Sequence, residues 1–408
     1  MFKYTKYTLF HMLTIPFGIG VTLGGDWMYA GLVFAVGFVV VGDLLMGDDT
    51  SEPEYEAPWL LNLQLYSSLL LIVVMNFLMV WSVADADVLG YGALVQQFTG
   101  FDALAAREAN SWPQYAAAIL GCGLLTSVVG TIVGHELTHR TWDPMAMFIG
   151  RWLLAFSWDT GFSIEHVYGH HIYVGSTDDP ATAPRGRNVY YHILASTWKG
   201  NISAWNLEKK RLKKKRLPVF SHHNLYIRGL LMSLALEVAA FVMAGWVGVA
   251  VFTATALIAK AFLEIVNFME HYGMVRNVKT PVQPYHSWNT NKRISSWATF
   301  NLTRHSHHHA QGDVPFQKLR PYQDAPMMVN GYLTTIFLTL IPPLWNAIMV
   351  PKVLDWDRRF ASAEELKLAM QANKRSGIKA FMEQDYSDLI RQKQALNTTS
   401  SNRTVQAA

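Results

Sequence analysis

Runs of about 20 nearly uncharged residues recur along this chain, and that is the length an α-helix needs to cross the hydrocarbon core of a bilayer. Six are predicted, near residues 8–23, 27–46, 59–83, 115–134, 229–246 and 251–269. The first is short, and Gly24-Gly25-Asp26 makes a tight turn into the second. Hydrophobic residues make up 51% of the 408 and charged residues 16%, against about 25% charged in an average soluble domain. The expected fold is an all-α, polytopic membrane bundle of about six transmembrane helices. Residues 145–156, which include Arg151, are too few for a span and read as a buried or interfacial helix. Residues 331–350 are interrupted by Pro342-Pro343. The polar stretch 394–408 reads as a disordered tail.

Charge orients the bundle. Residues 84–113 carry one basic residue, Arg107, whereas residues 140–228 carry many, including the cluster Lys209, Lys210, Arg211, Lys213, Lys214, Lys215 and Arg216. The positive-inside rule then puts the N-terminus and the 140–228 segment in the cytoplasm. The basic cluster reads first as a topology anchor beside anionic lipid, and second as a docking site for an acidic partner. A net charge of +4 gives no reason to expect nucleic acid. One cysteine, Cys122, excludes a disulfide, a cysteine-based zinc site or an iron–sulfur cluster within the chain. No cleavable secretory signal is visible, so the first span is expected to be retained.

The 15 histidines are unevenly placed. Four segments concentrate them: His135-Glu136-Leu137-Thr138-His139, Glu165-His166-Val167-Tyr168-Gly169-His170-His171, Asn267-Phe268-Met269-Glu270-His271-Tyr272-Gly273 and Arg304-His305-Ser306-His307-His308-His309. Residues three and four apart share a helix face. His135/His139, His166/His170 and His305/His308/His309 therefore each direct several imidazoles at one place. Imidazole suits iron, copper, nickel and zinc. Nine imidazoles exceed one ion's coordination sphere and fill two at four or five each. With six spans and a cytoplasmic start, all four segments fall on the cytoplasmic side. Taken singly, a histidine is more often an ordinary polar residue, and His11, His192, His222, His223 and His286 are read that way. His307 reads as a neighbour of the ligands or a surface group rather than a tenth ligand.

At these residues the sequence resembles the membrane alkane hydroxylase and xylene monooxygenase family, whose four histidine motifs appear here in order. The likeness covers about residues 10–360, including His286-Ser287-Trp288-Asn289 and Pro342-Pro343-Leu344-Trp345. Departures are Phe268 for the family's usual Tyr and His307 for its usual Asp, while residues 355–377 look more like the xylene branch. The resemblance implies one integral membrane hydroxylase domain over 1–393. It implies ligand roles for His135, His139, His166, His170, His171, His271, His305, His308 and His309, with two iron ions as cofactor and O2 as co-substrate. It also implies an external electron donor, a rubredoxin or a ferredoxin-type reductase. The chain's own residues agree on the donor, since one cysteine holds no iron–sulfur centre and no glycine-rich dinucleotide fingerprint is present. The expected location is the bacterial inner membrane, with the site facing the cytoplasm.

Breaking an unactivated C–H bond requires a metal–oxygen species that no side chain supplies. Carboxylates that orient imidazoles through their outer N–H are expected near the ligands; the candidates are Glu136, Glu165, Glu270, Asp178 and Asp179. Lys260 and Glu264 stand i,i+4 in the sixth span, and Glu237 lies in the fifth. A hydrocarbon substrate binds by burial alone, about 0.8 kcal/mol per methylene. An apolar tunnel opening to lipid is therefore expected, with Trp59, Phe77, Trp81, Phe156 and Phe162 as candidate lining. Three other readings compete. His135-Glu136-x-x-His139 alone matches a zinc protease, with Glu136 as base. Related histidine boxes occur in membrane desaturases and sterol-type oxidases. A metal transporter is disfavoured, because it would place its ligands within the spans.

Overall fold

The computed structural model describes the backbone of residues 1–406 and the side chains of residues 1–396. It is all-helical, with no strand among the described residues. In chain order the main helices are α1 (Leu9–Leu23), α2 (Trp27–Leu45), α3 (Pro58–Trp81) and α4 (Trp112–His139). They continue with α5 (Pro144–Ala155), α6 (Val189–Lys214), α7 (Leu225–His271) and α8 (His305–Ala310). The last four are α9 (Tyr332–Thr339), α10 (Pro342–Arg359), α11 (Ala363–Arg375) and α12 (Ser387–Gln406).

Four helices, α2, α3, α4 and α7, are long and apolar enough to cross a bilayer, and α9 with α10, bent by 116°, makes up to five. The chain is a multi-pass membrane protein. The count of six expected from sequence needs adjustment at its start. α1 has 15 residues, a rise of about 22 Å, short of the roughly 30 Å of hydrocarbon. The two expected spans 229–246 and 251–269 share α7, whose 47 residues break at Ala244 and Gly245. Gly245 has φ +55°, a left-handed turn that glycine adopts without strain. The arms fold back on one another: Thr253 Oγ1 donates to Glu237 Oε1 at 2.7 Å. The bend at Pro342 follows the expectation, since a proline there removes a helical hydrogen bond. The segment expected to be disordered from 394 is helical as far as Gln406; residues 407–408 lie outside the described residues.

Close packing is set by small residues. A Cβ on Gly123 of α4 would stand 2.4 Å from Ile258 Cγ2 and 3.1 Å from Thr255 O of α7. A Cβ on Gly150 of α5 would stand 2.9 Å from Leu137 Cβ and 3.2 Å from Gly134 O of α4. Glycine lets these backbones approach where lipid gives no hydrophobic drive for helix association. The histidine-bearing end of α4 is thereby held against α5, and its first half against the second arm of α7.

Candidate metal centre

Four elements converge at one end of the bundle: the last turn of α4, the 162–173 segment, the last turn of α7, and α8. Their nine predicted imidazoles form two groups. His135, His139, His166, His171 and His308 make the first, and His170, His271, His305 and His309 the second; within each, the ligand atoms lie within 4.8 Å of one another. In the first group His135 Nε2 is 3.0 Å from His308 Nε2. His171 Nε2 is 3.1 Å from both His166 Nε2 and His308 Nε2. In the second, His309 Nε2 is 2.9 Å from His305 Nε2 and 3.2 Å from His170 Nε2, and His305 Nε2 is 3.1 Å from His271 Nε2.

This partition differs from helical spacing. Expected partners His166 and His170 are separated, and His166 joins His171 instead. The reason is local: residues His166–His170 form a π-helical turn, whose wider winding brings i and i+5 to one side. Such turns concentrate at functional sites. In α8, His305 and His309 keep the i,i+4 relation and serve the second group, while His308 serves the first. His135 and His139, on the α-helical end of α4, likewise pair as their spacing predicts.

The donor set fits metal. Burial, with further repulsion among neighbouring rings, holds His166, His171, His305, His308 and His309 well below the ordinary imidazole value, so they are neutral donors. His139 Nε2 is buried without a hydrogen-bond partner, an orphaned lone pair of the kind an ion satisfies. The first group offers five nitrogens to one ion and the second four to another.

Of the five carboxylates expected to orient the rings, Asp179 does so. Its Oδ2 accepts from His170 Nδ1 at 2.9 Å and from Thr182 Oγ1 at 2.6 Å. Burial pulls the His170 value down, but the Asp179 charge and hydrogen bond, with the charges of Glu165 and Glu270, together outweigh it and hold the imidazole above its ordinary value. Glu270 sits on the inner side instead: its Oε2 is 3.2 Å from His305 Nε2, and Tyr332 OH donates to its Oε1. Three expectations are corrected. Glu136 pairs with Arg140 at 2.8 Å, because it lies on the helix face away from the imidazoles; that pairing also takes it from the protease-base role. Asp178 is exposed. Glu165 accepts from Ser203 at 3.3 Å and hydrogen-bonds to no ring, although burial and the neighbouring Asp179 charge push it up to about 8.

His307 joins neither group. Its Nδ1 accepts from Arg320 N at 2.7 Å and its Nε2 meets Gln311 Oε1 at 3.2 Å, so it pins the following loop. His286 is a satisfied core residue, bound to Glu365 at 2.7 Å, and His11 meets Ser67 Oγ at 2.9 Å. His222 and His223 are exposed. His192 departs from the bland reading: it is buried with both ring nitrogens unpartnered.

Among the candidate tunnel residues, Phe162 borders the centre, its ring stacked on His166 at 4.4 Å. Phe156 packs on Phe252 at 6.1 Å in the adjoining apolar region. Trp81 and Phe77 do not reach it. Both pack on Tyr91, and the Trp81 indole donates to Asp87 at 3.0 Å. That is the end of α3 opposite to Asn62, which holds Arg140 beside His139. Trp59 is at the near end but 64% exposed. A feature that spacing did not reveal is the buried cation between carboxylates: Lys260 Nζ bonds Glu264 at 2.6 Å, as expected, and also Asp159 at 2.7 Å.

A bundle of membrane-crossing helices whose ends bring nine imidazoles together in two groups defines a membrane protein with a histidine-rich site able to hold metal. A family model described as fatty acid desaturase matches residues 110–339, which contain all nine. The chain is similar to alkane 1-monooxygenase 1 of Pseudomonas aeruginosa, 35% identical over 359 residues, 86% of this chain and 88% of that protein. Alkane 1-monooxygenase 2 of Alcanivorax borkumensis is 35% identical over 353 residues, 83% and 87% of the two chains. The xylene/toluene monooxygenase hydroxylase component of Pseudomonas putida is 30% identical over 382 residues, 93% and 97%. The chain belongs to this family of membrane alkane and xylene monooxygenases, within the wider desaturase fold. It is an oxidoreductase.

Proposed function

We propose that the protein hydroxylates a terminal or methyl C–H bond of an apolar hydrocarbon, an alkane or an alkyl-aromatic, to a primary alcohol. O2 is the co-substrate, two iron ions the cofactor, and an external rubredoxin or ferredoxin-type reductase the electron donor. The reading places the site at the cytoplasmic face of the inner membrane, as the basic loops predict. The observation that carries it is the convergence of nine imidazoles as five and four.

His135, His139, His166, His171 and His308 would hold one iron, and His170, His271, His305 and His309 the other. Bound iron supplies the oxygen-activating chemistry that side chains lack. The chain's own contributions are distinct. Asp179 fixes the His170 ring with Nε2 inward. Glu270, held by Tyr332, presents a carboxylate at the imidazole face of the second group. Phe162, buried with Leu154 and Leu263, offers an apolar wall beside His166 that excludes water and accepts a hydrocarbon.

Membranes containing the protein, supplied with ferrous iron, a reductase system and a panel of alkanes and methylarenes, test the reading. Primary alcohols with two irons per chain are expected. Alkene products would favour the second reading, a desaturase, which the matching family model motivates. Zinc in place of iron, with no O2-dependent product, would end both.

A further inference from the structure

Away from the metal centre, α5 and the start of α7 border an outward-facing groove of about 650 Å3. Its walls are apolar, with Phe148 and Leu231 each 57% exposed and Trp152 and Met232 between them. Two guanidinium groups interrupt this surface, Arg151 and Arg228. Neither makes an ion pair among the described residues. Arg151 is 7% exposed; one Nη donates to Leu225 O, and its Nε is buried without a partner. Arg228 is exposed, and its charge repels that of Arg151. Glu208, whose charge reaches Arg151, is bonded elsewhere: it accepts from Arg211 Nε and Nη2 at 2.6 Å and from Leu225 N at 2.6 Å.

Two like charges facing one low-dielectric groove with no carboxylate bonded to either are costly, and an unpaired buried guanidinium N–H calls for an acceptor. The groove lies where α5 meets the first turn of the membrane-crossing α7, and the end of such a helix is where a chain meets lipid headgroups. We propose that this groove binds an anionic phospholipid, its phosphate between Arg151 and Arg228 and an acyl chain along Phe148, Trp152 and Leu231. The apolar walls distinguish this occupant from free phosphate, which has nothing to place against them. The basic cluster 209–216 is different in kind, being an exposed surface for diffuse attraction.

Native mass spectrometry of the full-length protein, released from nanodiscs of phosphatidylcholine and phosphatidylglycerol, tests this. Wild type should retain one phosphatidylglycerol in preference to phosphatidylcholine. R228Q, which removes a side chain with no partner of its own, should lower that preference about fivefold while the melting temperature holds. K209Q/K213Q should leave it unchanged. The proposal is overturned if wild type shows no preference, or if R228Q retains it in full. It is equally overturned if the lysine variant loses as much as R228Q, or if inorganic phosphate protects the fold where phosphatidylglycerol is not retained.

Discussion

His170 shows what one side chain contributes. Its Nε2 faces the second imidazole group, and its Nδ1 is tied to Asp179. Asp179→Asn keeps the shape but removes the charge that orients and polarises the ring. Metal affinity should fall about 10–100-fold, read by competition with a chelator, while helix content is unchanged. His170→Ala removes one of four donors outright. Iron in the second position and hydroxylation should both be lost, with membrane insertion retained; full activity with two irons would refute the ligand assignment. Asp178 and Asp179 are adjacent and chemically identical, yet the sequence does not separate them. One is buried against an imidazole and the other faces water, a difference made by the turn that follows the π-helical segment.

At the scale of elements, the centre depends on how α4 is held. Gly150→Ala would press a methyl group on Leu137 and the Gly134 carbonyl. A cost of about 1–3 kcal/mol is expected for such overpacking, together with reduced metal content as His135 and His139 move. Thermal unfolding and metal analysis of the same preparation check both. The segment between α2 and α3 is secured by Asp49, which accepts from Lys6 at 2.8 Å and Trp297 at 2.6 Å. Burial opposes ionisation of Asp49, but bonds from Lys6, Ser51 and Trp297 outweigh it and hold the carboxyl well below the usual range. Because the folded value is lowered, the stabilisation is complete above the unfolded value of about 3.9 and fades as pH falls towards the folded one. Melting temperatures of wild type should drop across that acid range, and those of Asp49→Asn should be lower at neutral pH and flatter in acid.

Across the whole molecule, the C-terminal helices lock the site from outside. Arg185, just after the second histidine segment, bonds both Asp357 oxygens at 2.6 and 2.7 Å, Asn373 Oδ1 at 2.7 Å and Gly273 O at 3.0 Å. Both side chains of the pair are 0% exposed. Arg185→Met leaves the Asp357 carboxylate uncompensated and should cost about 3–5 kcal/mol. Arg185→Met/Asp357→Leu should recover much of that, and a double-mutant cycle in chemical unfolding measures the coupling. Residues 355–377 thus have a structural role that their pattern alone did not disclose.

The helical membrane character and the nine imidazoles were legible in the sequence, because span length and histidine spacing are local properties that no distant contact alters. The division of those nine into five and four was not. It follows from a π-helical turn, and from α8 lying between elements more than a hundred residues away, where His308 and His309 serve different groups. Which carboxylate meets a ring and which tryptophan lies at the wrong end of its helix were likewise set by packing. So was the meeting of Arg151 and Arg228 in one groove. Spacing states which side chains share a face of their own helix; only the assembled bundle states what that face meets.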